Sequence, residues 1–90
     1  MGRKSQENPK RMAEKVREIR LKLELTQEAM FDELTKQGVN AHPGYISLYE
    51  IGQRVPSLLI VLAYARIAGI STDLLIDDKL ELPKKLPIKK

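Results

Sequence analysis

Leu25-Thr26-Gln27-Glu28 opens a stretch that runs through Gly38-Val39 and Tyr45-Ile46-Ser47-Leu48-Tyr49-Glu50 to Gly52-Gln53-Arg54-Val55-Pro56-Ser57, and its punctuation decides the fold. Threonine is a helix-capping residue, its oxygen accepting from the first free backbone amides, and behind Thr26 the apolar residues Ala29, Met30 and Leu34 follow at helical spacing. Gly38 is suited to stop that helix in the left-handed conformation that glycine adopts without a Cβ penalty. Asn40-Ala41-His42-Pro43-Gly44 is rich in turn and cap formers, and Tyr45 to Glu50 read as a short helix ended by Gly52. Its cap is either Asn40, with Pro43 still in the first turn, or His42, with Pro43 as first residue, because both arrangements tolerate proline's missing donor. Pro56-Ser57 starts a further helix at Leu58, and Gly69 stops it.

Outward from this stretch the pattern stays helical. Upstream, Asn8-Pro9 is a start signal with Asn8 as cap, and Met12, Val16, Ile19 and Leu23 then mark one face of a first helix. Downstream, Ser71-Thr72-Asp73 caps a short helix through Ile76. No run alternates apolar and polar residues with β-branched enrichment, so the expectation is a compact all-α domain of five helices over residues 9–78. A basic arm, residues 1–8, precedes it. A basic and apolar tail follows at residues 79–90, where Pro83 and Pro87 forbid a continuous helix and Leu80, Leu82, Leu86 and Ile88 remain to be covered.

Composition narrows the function classes. Ninety residues suit one domain, and 42% hydrophobic with 31% charged residues suits a globular chain. The absence of cysteine excludes disulfides, thiolate metal sites and a cysteine nucleophile. The longest strongly apolar run, Leu58 to Ala65, is far below the ~20 residues that span a bilayer. Met1 to Asn8 lacks an apolar signal core, so no membrane association and a cytoplasmic location are expected. His42, the single histidine, has no partners at ligand spacing, the carboxylate pairs Asp32-Glu33 and Asp77-Asp78 diverge, and the five glycines form no phosphate loop. Neither catalysis, nor a metal, nor a cofactor is expected.

Charge is uneven. Residues 1–25 carry eight Lys/Arg against four Asp/Glu, residues 26–78 three against seven, and residues 79–90 five against one. The net +4 points to an anionic partner met through the ends of the chain.

The ordered set Arg20, Thr26-Gln27-Glu28, Gly38-Val39, Tyr45-Ile46-Ser47, Glu50, Gly52, Arg54, Pro56-Ser57, Gly69-Ile70-Ser71, Asp73 and Leu74-Leu75 resembles the phage-repressor and Cro family of helix-turn-helix DNA-binding domains, the XRE-type regulators. The resemblance covers residues 10–77 and implies a lambda-repressor-like fold that binds double-stranded DNA and regulates transcription. It implies that Gln27 bonds the DNA backbone at the start of the second helix, where free N–H groups favour a phosphate. It also implies that the third helix lies in the major groove, with His42, Pro43, Gly44, Ser47 and Leu48 facing the bases and Ile46 and Tyr49 facing inward. Gln53 and Arg54 fall at the next phosphate, and Arg20 with Glu50 resembles a family ion pair joining the first helix to the recognition helix. The turn is longer than the family pattern, with Thr35, Lys36 and Gln37 extending the second helix. Asn40 on that enlarged turn is a further candidate reader, since the other base-facing positions lack the Arg, Asn and Gln that make bidentate base contacts. The rival reading is a protein-interaction module, an antitoxin or adaptor, that keeps the fold without DNA.

The fourth helix adds a feature outside that pattern. Leu58, Val61, Leu62, Ala65 and Ala68 share one side, the expected core, while Ile60, Ala63 and Ile67, with Leu59 at the edge, form an opposite apolar stripe. A helix apolar on both sides is expected to be buried on both. Either the tail covers the stripe or a second subunit does, forming a homodimer through Leu59, Ile60, Ala63 and Ile67.

Overall fold

Two hydroxyl caps and two left-handed glycines set the boundaries of the central helices in the computed structural model, which describes residues 9–87. Five helices follow in order: α1 (Met12–Lys22), α2 (Gln27–Lys36), α3 (Tyr45–Glu50), α4 (Leu58–Ala68) and α5 (Asp73–Ile76), and the described residues contain no strand. The fold is all-α. Thr26 Oγ1 accepts from the Ala29 N–H at 3.0 Å to start α2, and Ser57 Oγ accepts from Ile60 at 3.3 Å to start α4. Gly38 at φ +84° and Gly69 at φ +73° turn the chain out of α2 and α4. Thr35 and Lys36 do lengthen α2, whereas Gln37 lies at its cap.

The core is built from one face of each helix. Met12, Val16 and Ile19 from α1, with Leu23 at its C-terminal cap, meet Met30 and Leu34 from α2, Ile46 and Tyr49 from α3, Leu75 from α5 and most of α4. α4 packs against both α1 and α2, which explains its apolar composition. Ile60, Ala63 and Ile67 retain 4%, 2% and 6% of their surface, so these three residues of the stripe, expected to be covered by the tail or by a second subunit, are already buried within one chain.

Leu58 corrects the expected face of this helix: it is 80% exposed, Leu59 is 65% exposed, and Leu62 is half-buried. Arg66 explains the rotation. Its position is one and two turns beyond Leu62 and Leu58, so the helix's single charge marks the solvent side and those residues share it. The buried arc centres instead on Tyr64, the largest fully buried side chain.

The start of α1 is also corrected. The helix begins at Met12 rather than Pro9, and Asn8, the expected cap, lies outside the described residues. The backbone N–H groups of Lys10 and Arg11 donate to the two carboxylate oxygens of Asp78, at 2.8 and 3.0 Å. A residue 68 positions away thus does the capping. Arg11 returns the contact, its guanidinium donating to the Asp78 carbonyl at 3.0 Å and to both Glu81 oxygens at 3.0 and 2.9 Å.

Lys15, fully buried on the inner side of α1, donates to the carbonyls of Leu74, Asp77 and Leu80 at 2.7–2.8 Å. Further along α1, Lys22 Nζ donates to the Lys84 carbonyl, and Leu82 is buried in the core. The described part of the tail is therefore strapped along α1 and belongs to the domain; the expected boundary at residue 78 separates nothing.

This strap makes stability depend on acid. The two backbone N–H bonds hold the Asp78 carboxyl below its usual range, and the Arg11 guanidinium does the same for Glu81. A carboxylate whose folded pKa is depressed contributes stability above its unfolded pKa of about 4 and loses it as pH falls through the folded value. Thermal melts between roughly pH 6 and pH 2.5 should show Tm dropping below about pH 4, with a shallower drop in Asp78→Asn. Identical acid profiles would mean that the clamp adds no stability.

Candidate nucleic-acid interface

α3 is anchored by the residues spaced for one helical face. Ile46, Tyr49 and Glu50 are buried, and the helix packs against α1 and α2. Its other side is turned out: Ser47 and Leu48 are half-buried, and Asn40, His42, Pro43 and Gly44 ahead of it are exposed.

One charge network fixes the inner side. Arg20 Nε donates to Glu50 Oε2 at 2.7 Å and Arg20 Nη2 to Oε1 at 3.0 Å, a bidentate pair whose side chains are 12% and 3% exposed. The third guanidinium nitrogen donates to the Leu25 carbonyl at 2.9 Å, just before the α2 cap. Gln27 Nε2 donates to Glu50 Oε1 at 3.1 Å, adding α2 directly. Bonding to Glu50 raises the Arg20 pKa above its ordinary value, outweighing the opposing effect of burial. The pair thus joins α1, the α1–α2 turn, α2 and the last residue of α3. Gln27, assigned to a phosphate by sequence resemblance, spends one of its two amide hydrogens here and keeps the other.

Tyr64 was not among the residues singled out from the sequence. Its hydroxyl is buried without a hydrogen-bond partner, and burial first, then the Glu50 charge, pushes its pKa up. Its position in the centre of the buried arc of α4 was the available signal.

The outer side is organised by stacking. The His42 ring lies 4.5 Å from the Tyr45 ring at 23° between planes, and the Arg54 guanidinium carbon lies 3.8 Å over the same Tyr45 ring. Tyr45 in turn meets buried Tyr49 edge-on, 6.3 Å between centroids. His42 Nδ1 accepts from the Gly44 N–H at 3.2 Å, and Ser47 Oγ donates to the Gly44 carbonyl at 3.2 Å. Gly44 occupies the cap of α3 without a side-chain bond, so neither Asn40 nor His42 holds that position. The Tyr45 N–H donates to the His42 carbonyl, closing a tight turn that delays the helix to Tyr45. After α3, the Gln53 and Arg54 N–H groups both donate to the Leu48 carbonyl, at 2.9 and 3.3 Å, and both side chains are exposed.

The acidic middle of the sequence divides along the chain. Between Thr35 and Thr72 the only carboxylate is Glu50, and Arg20 neutralises it, which leaves Lys36, Arg54 and Arg66 as the charges of that span. A cleft of about 220 Å³ lies between the start of α1 and the loop after α3; its lining includes Lys10, Met12, Tyr49, Arg54 and Val55 and contains no carboxylate and no histidine. Against known families, curated proteins and solved structures, the chain has no match. Among the described residues, no group of three or more His, Asp or Glu side chains comes together as a metal site, and no helix is long and apolar enough to cross a membrane.

Proposed function

We propose that the chain is a cytoplasmic, sequence-specific regulator that binds duplex DNA with α3 in the major groove, as its resemblance to the phage-repressor and Cro family implies. The observation that carries this reading is the two-sidedness of α3. Its inner side is tied to α1 and α2 through Glu50, while Ser47 and Leu48 on its outer side are half-buried, Asn40, His42, Pro43 and Gly44 before it are exposed, and none of these residues carries a carboxylate. Gln27, Gln53 and Arg54 hold the backbone in this reading, and Asn40, His42, Pro43, Gly44, Ser47 and Leu48 face the bases.

A mobility-shift series on random duplex DNA tests it. The logarithm of affinity should fall by about 0.9 per logarithmic unit of salt for each phosphate engaged. A flat salt response sinks the reading and favours the rival protein-interaction module. One observation supports that rival: Ile51 and Val55 are 65% and 50% exposed, close in sequence to exposed Leu58 and Leu59. Of the residues expected at a homodimer seam only Leu59 is exposed, since Ile60, Ala63 and Ile67 are buried inside the chain.

A further inference from the structure

We infer that the Tyr45 ring is a shared platform that presets one base-reading donor, the His42 Nε2–H, and one phosphate-holding cation, Arg54, and that the base it selects is guanine. The inference rests on the DNA-binding reading above.

The two ring nitrogens of His42 are distinguished by their surroundings. Nδ1 accepts the Gly44 N–H, so in the neutral imidazole the proton sits on Nε2. The stack on Tyr45 fixes the plane of the ring, and the bond to Gly44 fixes its rotation within that plane. An exposed side chain with both degrees of freedom restrained presents its remaining N–H in one direction. Apart from the Asn40 amide on the turn, few competing donors exist on this face. The Ser47 hydroxyl is already donated to the Gly44 carbonyl, and Pro43 and Leu48 have no side-chain donor.

A single fixed donor is selective in the major groove. Guanine offers two adjacent acceptors, N7 and O6. Adenine sets a repelling N6–H₂ beside its N7, thymine sets a methyl group beside O4, and cytosine presents a donor. Only guanine rewards an N–H across its whole edge.

Arg54 stands on the same ring by a cation–π contact, and the bonds of residues 53 and 54 to the Leu48 carbonyl fasten its loop to α3. Tyr45 leans edge-on against buried Tyr49, so the platform is seated on the core. A base contact before α3 and a phosphate contact after it are thereby held in one register. Tyr45 acts as a positioning residue through its ring, and phenylalanine should serve equally.

The test selects sites from randomised duplexes and measures salt slopes for the wild type and four variants. The wild type should enrich guanine at one position. His42→Ala should weaken that preference about tenfold with the salt slope unchanged. Arg54→Ala should keep guanine and reduce the slope by about 1. Tyr45→Phe should match the wild type, whereas Tyr45→Leu, checked as folded by circular dichroism, should lose both features. Guanine preference that survives His42→Ala overturns the inference, as does a folded Tyr45→Leu that keeps both features; if Tyr45→Leu does not fold, His42→Ala decides alone. A wild type with a steep salt slope and no guanine preference overturns the platform only. A wild type with no salt-dependent binding overturns the platform together with the reading beneath it.

Discussion

Glu50→Ala should destabilise the fold by about 3–5 kcal/mol in urea unfolding, because it strands a charge inside the protein. Arg20 is 12% exposed, and two of its three donor groups point at Glu50. After truncation only the Leu25 carbonyl remains to it, and Gln27 loses its acceptor as well. A small domain is stable by only about 5–15 kcal/mol, so the loss is a large share of the whole. The double replacement Arg20→Leu with Glu50→Leu should cost much less than the single one, since removing both charges also removes their desolvation. That contrast separates a buried pair from a mere contact between helices. If Glu50→Ala unfolds at the wild-type urea concentration, the pair contributes nothing and α3 is held by Ile46 and Tyr49 alone.

Helix positions and two caps were legible because their signals are local. Thr26 and Ser57 sit close to the amides they bond, and the Met12–Leu23 periodicity lies within one helix and its C-terminal cap. The contact between Arg20 and Glu50 crosses 30 residues, and only resemblance to a family pattern suggested it. Asp78 had neither kind of signal. No periodicity announces that a carboxylate after α5 will bond the amides before α1, so Asn8 was the natural candidate. The face of α4 failed for a different reason: with almost every residue apolar, the hydrophobic pattern has no strong direction. Arg66 was the informative position. The stacking of His42 and Arg54 on Tyr45 brings the turn before α3 and the loop after it onto one ring, which neither spacing nor composition records.

Lys15→Met should cost about 3–5 kcal/mol and release the tail from α1, although methionine keeps much of the lysine's length and apolar stem. The ammonium has three N–H donors, and each meets a carbonyl: Leu74, Asp77 and Leu80. These oxygens belong to the end of α5 and the turn after it, where helical carbonyls lack intrahelical partners. Methionine would leave the Leu74 and Leu80 carbonyls without this donor beside a buried apolar side chain, at roughly 1–3 kcal/mol for each unsatisfied group, while the Asp77 carbonyl would keep only the Leu80 N–H. Arginine should fail too, because its planar fork cannot aim three hydrogens at carbonyls gathered around one point. Exposed Arg17 on the same helix supplies the control, and Arg17→Met should stay within about 0.5 kcal/mol of wild type. Hydrogen exchange adds a local reading. The Asp77 and Leu80 amides donate within this turn, so Lys15→Met should lose their protection before the α2 and α4 amides lose theirs. Wild-type stability with protected Asp77 and Leu80 amides would show that Leu82 packing and the Arg11 clamp hold the tail without the buried ammonium.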